Sequence, residues 1–121
     1  MTEIEAAMPG LRRALGRHPL RTAQELQDEI DTGHARLLRR GRSAVMAKRV
    51  EYDTGEVVLE CGPADGDLKE IIDSMRPDIE EWARAIGCTQ IHVVAGREGW
   101  RRPLEAEGYE LAQIVMRKIL T

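Results

Sequence analysis

The sequence predicts an α+β fold built on a β-sheet, and three observations carry that prediction. Apolar residues recur every three or four positions over residues 68–86, which is the period of an amphipathic helix. Three short strand-like segments precede that helix, and their short connections favour an antiparallel meander. A β-branched segment, Ile91–Ala95, follows the helix and is apolar on both faces, as in a strand covered on two sides.

The length and composition indicate one globular domain. The chain has 121 residues, of which 42% are hydrophobic and 32% charged, and this is enough for a single core. We expect the domain to span residues 22–121, after an N-terminal arm or short helix over residues 1–21 that Pro9-Gly10 interrupts. The acidic N-terminus does not resemble a signal peptide, and no apolar run reaches the length of a membrane span.

The first confident helix begins with a capping box. The Thr22 hydroxyl is placed to accept from the backbone N–H of Glu25, and the Glu25 carboxylate is placed to reach back to the N–H of Thr22. This helix should end near Thr32, with Gly33 as its C-terminal cap.

The three meander strands are predicted from alternating apolar residues between turn sequences. They cover Ala35–Arg40, Ser43–Tyr52 and Glu56–Cys61. Asp53-Thr54-Gly55 should form a hairpin loop in which glycine takes a positive φ angle. Lys48 breaks the alternation of the second strand, which suggests a place near a sheet edge.

The long helix should start at a second capping box, Asp67 with Glu70, after a loop over residues 62–66. Pro77 removes a backbone donor, so we expect a kink near residues 74–76, with Pro77 in the first turn of a second segment. Gly87 should end this helix.

The C-terminal part should contain a short helix and a last strand. Residues 96–100 read as a tight turn into a helix over Trp100–Glu107. Ile114-Val115-Met116 is strongly strand-like.

Charge and cysteine content exclude several classes of function. Residues 50–87 hold three Lys/Arg against eleven Asp/Glu, a net charge of −8, and such an acidic block repels nucleic acid. With aromatic residues at 3%, sequence-specific nucleic-acid binding is not expected. Cys61 and Cys88 have no spacing typical of zinc sites, so we expect two reduced thiols and no metal.

The order helix, three strands, helix, strand, helix, strand resembles the GCN5-related N-acetyltransferase (GNAT) fold. The resemblance rests on Gly87-Cys88-Thr89-Gln90-Ile91 and on the Gly108-Tyr109 ending. Residues 81–88 and 96–104 are similar to small GNAT-like proteins of tailed phages and prophages. The resemblance implies a mixed sheet, in which a splayed parallel strand joins the meander, with helices on both faces.

The acyl-CoA motif of the family is degenerate in this chain. The best match to the family's phosphate loop is Pro63–Leu68, where Gly66 alone fits and is the one weak candidate for cofactor binding. Asp65 and Asp67 would lie near the diphosphate of acetyl-CoA and repel it. We interpret them as helix caps, so no cofactor is expected.

The family's general acid is also missing. Its tyrosine position falls on Leu104, which has no proton to donate, and Tyr109 holds a position that is normally packed. Glu60 is a candidate base through water, and His92 is a candidate titrating group. Both are more readily explained as structural residues, so no catalytic residue is assigned.

Arg97 and Trp100 are the candidates for partner binding. Arg97 follows the fourth strand, and Trp100 lies three residues later on the next helix. Tryptophan and arginine dominate interface hot spots. The alternative is structural: Arg97 pairs with the acidic helix, and Trp100 fills the gap between helix and sheet.

The leading hypothesis from the sequence is a non-catalytic, GNAT-like phage or prophage protein that acts through protein contacts. It would be a virion component or assembly factor, in the host cytoplasm and possibly the virion, with other virion proteins or further copies as partners. The alternative is an acyl-CoA-dependent N-acyltransferase with an altered phosphate loop. A third hypothesis is an inhibitor or accessory protein that binds a host factor.

Overall fold

The structure, a computed structural model, describes residues 3–14, 21–94 and 98–121. In these residues a four-stranded sheet carries helices on both faces. The strands are β1 (Arg36–Arg40), β2 (Ser43–Glu51), β3 (Val57–Asp65) and β4 (Gln90–Val93). The helices are α1 (Glu3–Ala14), α2 (Ala23–Asp31), α3 (Leu68–Glu70), α4 (Arg76–Ala85) and α5 (Arg101–Glu105), with a π-helical turn (Ile71–Met75) between α3 and α4 and a 3₁₀ turn (Glu98–Trp100) before α5.

The sheet has the order β1-β2-β3-β4, and its pairing confirms the predicted mixed α+β class. The meander strands β1, β2 and β3 pair antiparallel, and β4 adds parallel to β3. The pairing of β2 with β1 ends at Ala47, so Lys48 pairs with Glu60 of β3 and with no residue of β1, which agrees with its predicted place near a sheet edge. Its ammonium group lies 3.6 Å from the Glu29 carboxylate of α2.

Two apolar cores lie on opposite faces of the sheet, because neighbouring strand residues point to opposite sides. On one face, β2 and β3 pack against the helix over residues 68–85. That core contains Val45, Ala47, Leu59, Cys61, Ile71, Met75, Ile79 and Ala83. On the other face, Ala44 and Met46 of β2 pack against α1 and α2 through Ala7, Leu11, Leu26 and Ala35.

Helix α1 runs through Pro9, so the predicted interruption at Pro9-Gly10 is wrong. A proline inside a helix removes one hydrogen bond and crowds the preceding turn. Packing offsets that loss here, since Leu11 is fully buried against the sheet. Gly10 lies so close to Asp65 of β3 that a Cβ atom would stand 1.9 Å from the carboxylate.

The predicted irregularity before Pro77 is confirmed. The helix over residues 68–85 widens into the π-helical turn Ile71–Met75 and resumes as α4, with Pro77 in its first turn. At the other end, Gly87 takes a φ angle of 82°, as expected for a C-terminal cap. The Thr22 half of the capping box predicted for α2 is present, and so is the glycine at its C-terminal end. The Thr22 hydroxyl accepts from the Glu25 N–H at 3.1 Å, and Gly33 has a φ angle of 80°.

The last predicted strand, Ile114–Met116, is absent from the described residues. From Tyr109 to Thr121 the chain has no regular secondary structure, and the apolar side chains at residues 114–116 are 74 to 91% exposed. A strand forms only where it pairs with the edge of another strand, and this segment pairs with none of the strands that the structure describes. The predicted short helix is the 3₁₀ turn followed by α5.

Candidate functional site

The candidate site begins at a β-bulge in β3. Val45 pairs with Ala64 and Ala47 with Cys61, so β3 has one more residue than β2 over this step. Gly62 and Pro63 lie in that bulge, where proline's missing N–H is tolerated. The prediction that residues 62–66 form a loop is therefore wrong, because β3 continues through the bulge to Asp65.

Among the described residues, the last bond between β3 and β4 runs from the Val94 N–H to the Cys61 carbonyl, at 3.0 Å, and β3 continues past it to Asp65. A Cβ atom on Gly62 would lie 2.8 Å from the Val94 carbonyl oxygen, so only glycine permits this approach. A cleft of about 560 Å³ lies between β3, β4 and the helix over residues 68–85. Its apolar lining includes Val45, Ala64, Ile72, Val93, Trp100 and Leu104.

The backbone amides at the start of the helix over residues 68–85 are already bonded to side chains. Asp67 Oδ1 accepts from the backbone N–H groups of Lys69 and Glu70, at 2.9 and 3.2 Å, which confirms the Asp67 cap. The Ser43 hydroxyl accepts from the Asp67 N–H at 3.1 Å and donates to Glu70 Oε1 at 2.6 Å. Ser43 thus stands between the two members of the predicted capping box, a role that the sequence does not indicate. We call this set the Ser43–Asp67–Glu70 clasp.

Gly66 lies at the rim of the cleft and directly against the clasp. Its φ angle is 128°, a conformation that other residues rarely adopt. A Cβ atom there would stand 2.5 Å from Ser43 Cα. Close packing against the Ser43 backbone thus explains why position 66 needs glycine.

Three arginines bring positive charge to the cleft: Arg13, Arg76 and Arg117. Arg76 is held inside it by Glu80 at 2.8 Å and by Glu107 at 3.2 Å. Arg13 extends from α1 toward Asp65, at 4.0 Å, with 71% of its side chain exposed. The charge at the cleft thus comes from elements far apart in the sequence.

Tyr109 lines the cleft and donates its hydroxyl hydrogen to Glu80 Oε2 at 3.0 Å. Burial, followed by the hydrogen bond to Glu80, raises the pKa of this phenol above its ordinary value. Burial likewise raises the pKa of the Cys61 thiol to about 12, so Cys61 stays protonated and is no nucleophile. The Tyr109–Glu80 pair was not predicted. The sequence signals a partner for Glu80 only through Arg76, which precedes it by one helical turn.

Glu60 and His92 lie side by side on β3 and β4, on the sheet face opposite the cleft. The Tyr52 hydroxyl donates to Glu60 at 2.9 Å, and His92 Nε2 lies 2.9 Å from Gln90 Oε1. Each therefore has a structural partner. Leu104, at the family's tyrosine position, is buried beside the cleft.

Of the two predicted partner-binding residues, Trp100 lies within the described residues. Arg97 lies outside the described residues. Trp100 is half-buried, packs against the core on the helix side and lines the cleft. Among the described residues, no group of three His, Cys, Asp or Glu side chains is placed to hold a metal ion. No helix within 3–14, 21–94 or 98–121 is long and apolar enough to cross a membrane.

Comparison with known proteins relates the chain to acetyltransferases by structure alone. No protein-family model matches the chain, and no curated protein sequence matches it. An acetyltransferase from Trypanosoma brucei aligns with a TM-score of 0.67 and 15% identity, over 98% of this chain and 93% of that one. A predicted acetyltransferase from Clostridium acetobutylicum, solved with acetyl-CoA, aligns with a TM-score of 0.69 and 9% identity, over 97% and 90%.

Glucosamine-6-phosphate N-acetyltransferase from Arabidopsis thaliana aligns with a TM-score of 0.58 and 13% identity, over 99% of this chain and 95% of that one. At 9 to 15% identity, these alignments show a shared fold. The mixed sheet, its parallel pair of strands and these alignments together give the chain a GNAT-like fold.

Proposed function

We propose that this protein is an acyl-CoA-dependent N-acyltransferase that takes the thioester end of its donor into the cleft between β3 and β4. The observation that carries the proposal is the cleft itself, about 560 Å³ in volume and lined by both of the parallel strands. Ligands of open sheets bind beyond the carboxyl ends of such strands. The Clostridium acetobutylicum structure, described as holding acetyl-CoA, shares this fold.

The cleft suits one end of the donor better than the other. Its apolar lining fits the acyl-thioester arm. The diphosphate would meet a helix start whose amides are already bonded to Asp67 and Ser43. Positive charge at the cleft is instead supplied by Arg13 and Arg117, and we expect these side chains to hold the diphosphate.

The donor supplies an activated acyl group. On transfer to an amine, a C–N bond forms, the C–S bond breaks, the amine gives up a proton and the departing sulfur takes one. Tyr109 is the phenol that lines the cleft, and the Glu80 carboxylate orients its hydroxyl. The Tyr109 hydrogen is donated to Glu80 in this structure, so we expect the hydroxyl to turn from Glu80 to the departing sulfur and give it this proton, in place of the tyrosine that Leu104 replaces.

The test is calorimetric titration with acetyl-CoA and with CoA, on the unaltered protein and on Asp67→Ala. The substitution removes a negative charge and releases the Lys69 and Glu70 amides, so we expect about tenfold tighter binding of acetyl-CoA. Asp73→Ala is the matched control. It removes one charge from the same helix at an exposed position that caps nothing, and its affinity should stay within about twofold.

Absence of heat at millimolar ligand with both the unaltered protein and Asp67→Ala would overturn the proposal. If acetyl-CoA binds, release of free thiol with a panel of amines tests turnover. Tyr109→Phe should then lower kcat at least about tenfold while leaving acetyl-CoA affinity nearly unchanged.

A second candidate function is a non-catalytic protein that acts through protein contacts. The Ser43–Asp67–Glu70 clasp favours it, because the Ser43 and Asp67 side chains accept hydrogen bonds from three of the amides that a phosphate would need. Binding of acetyl-CoA with amine-dependent thiol release would exclude this candidate.

A further inference from the structure

The C-terminal segment of residues 110–121 leaves its apolar side chains in water. Val115 is 80% exposed and Met116 is 91% exposed. The other large apolar side chains of the segment that are exposed are Leu111, Ile114, Ile119 and Leu120. Six large apolar side chains within ten residues are more than a monomeric surface normally leaves uncovered.

The pattern of this segment is that of a strand buried on both faces. In an extended chain, Ile114 and Met116 point to one side and Val115 to the other. Such two-sided apolar character is typical of strands within a sheet that is covered on both faces. The segment therefore has the composition of an inner strand but lies outside the sheet.

A groove of about 490 Å³ lies between the open edge of β4 and the start of this segment. Gln90, Ile91 and His92 line one side, and Glu110 and Ala112 line the other. Among the described strands, β4 pairs only with β3, so its second edge offers unpaired N–H and C=O groups along the groove. An exposed edge of this kind accepts an added strand.

Charge is consistent with a basic strand in the groove. Glu80, Glu107 and Glu110 line it with Arg84, and Arg76 pairs with Glu80 and Glu107, so these five side chains have a net charge of −1. The C-terminal segment carries Arg117 and Lys118 directly after its most apolar residues. A strand of this sequence would bring positive charge to a groove of small negative charge.

We propose that the groove beside β4 takes residues 113–120 of a second copy of this chain, and that two copies exchange these segments reciprocally. One chain supplies both the strand and the groove, so a two-fold arrangement satisfies both at once and closes. Each exchanged strand would pair with the edge of β4 and carry five of the six exposed apolar side chains into the interface, all except Leu111. The inference is argued from the edge of β4, but the exchange would move Arg117 away from the cleft of its own chain and leave Arg13 as the cation expected at the diphosphate there.

The first test is sedimentation velocity on the full chain from 1 to about 200 μM. We expect a dimer that dissociates on dilution. Val115→Pro removes one backbone donor and should weaken the dimer at least about 100-fold, because a proline inside a strand loses a hydrogen bond of the ladder. Val115→Thr keeps the β-branched shape and the N–H, and should leave the dissociation constant within about tenfold.

A chain that stays monomeric at all concentrations would overturn the proposal, and so would a Val115→Pro variant that dimerises as tightly as Val115→Thr. The substitution lies in an exposed segment without secondary structure, so the monomer should keep its fold.

A second test does not depend on the proline variant. Chains in which Cys61 and Cys88 are replaced by alanine receive one new cysteine each, Gln90→Cys in a tagged chain and Met116→Cys in an untagged chain. After mixing and treatment with a short bis-maleimide, strand exchange gives a cross-linked product of one tagged and one untagged chain. A third chain carries both new cysteines. If this chain cross-links within itself and the mixture gives no mixed product, the segment returns to its own groove and the proposal fails.

Discussion

At the scale of single residues, Ser43 connects the meander to the helix over residues 68–85. It is fully buried, accepts from the Asp67 N–H and donates to Glu70. A buried hydroxyl with both functions satisfied stabilises the pair that it joins. Gly66 lies against its backbone, so the clasp requires glycine at that position.

We predict that Gly66→Ala destabilises the protein by about 2–4 kcal/mol. The added Cβ would lie 2.5 Å from Ser43 Cα, a backbone neighbour that cannot rotate away, and the φ angle of 128° adds strain. Gly33→Ala is the matched control: its φ angle is +80° but nothing lies within 4 Å, so only strain of about 1–2 kcal/mol applies. Urea unfolding of both variants gives the comparison. Equal losses would show that contact with Ser43 contributes nothing.

Single residues also show where sequence reasoning stops. The caps by Thr22 and Asp67 were predicted because each donor lies two or three positions from its acceptor. Ser43 was missed, because its partners lie 24 and 27 positions away. The Tyr109–Glu80 pair, 29 positions apart, was missed for the same reason. Local pattern specifies caps, whereas the contacts that build the cleft depend on the pairing of the sheet.

At the scale of elements, α1 is the clearest case of packing that overrides local sequence. Pro9-Gly10 predicts a break, and yet α1 continues to Ala14 because its apolar face is buried on the sheet. The reverse holds for Ile114–Met116, which has strand composition but no strand beside it. Composition predicts how readily a segment forms a strand, and hydrogen bonding to the edge of another strand decides whether it does. The sequence predicts a kink or break before Pro77, because a proline acts on its own helix, and the structure shows an irregularity there in the form of a π-helical turn over Ile71–Met75.

We predict that Leu11→Ala lowers the free energy of unfolding by about 3 kcal/mol. The side chain is fully buried among Ala7, Leu26 and Met46, and its removal leaves a cavity. Arg12→Ala, at the exposed neighbouring position, should change stability by less than about 0.5 kcal/mol. Thermal and urea unfolding measure both. If Leu11→Ala were as harmless as Arg12→Ala, residues 1–21 would behave as an arm, as the sequence alone suggests.

At the scale of the whole molecule, the sheet and its two cores could be predicted from the sequence, and the cleft could not. The meander and the two cores follow from alternation and helical period, and the mixed class was predicted from them. The cleft was not, because it depends on one extra residue in β3 at Gly62-Pro63 and on the end of β4 at Val93. A degenerate motif predicted no acyl-CoA site there, whereas the geometry provides a cleft of suitable size.

The parallel pairing of β3 with β4 also sets an order of folding events. Leu38 and Val45 meet across a tight turn, whereas Leu59 and Ile91 meet only after the chain has passed through an entire helix. Closing the longer loop costs more chain entropy, so the meander should form in the transition state and β4 should join later. In stopped-flow measurements, Val45→Ala should therefore slow folding, while Ile91→Val should mainly speed unfolding. Equal slowing of folding by both would contradict this order.

A late β4 means that every newly made chain passes through a state in which the edge of β3 is bare. The time spent in that state, more than the stability finally reached, would then limit how much of this protein a cell can make without aggregation.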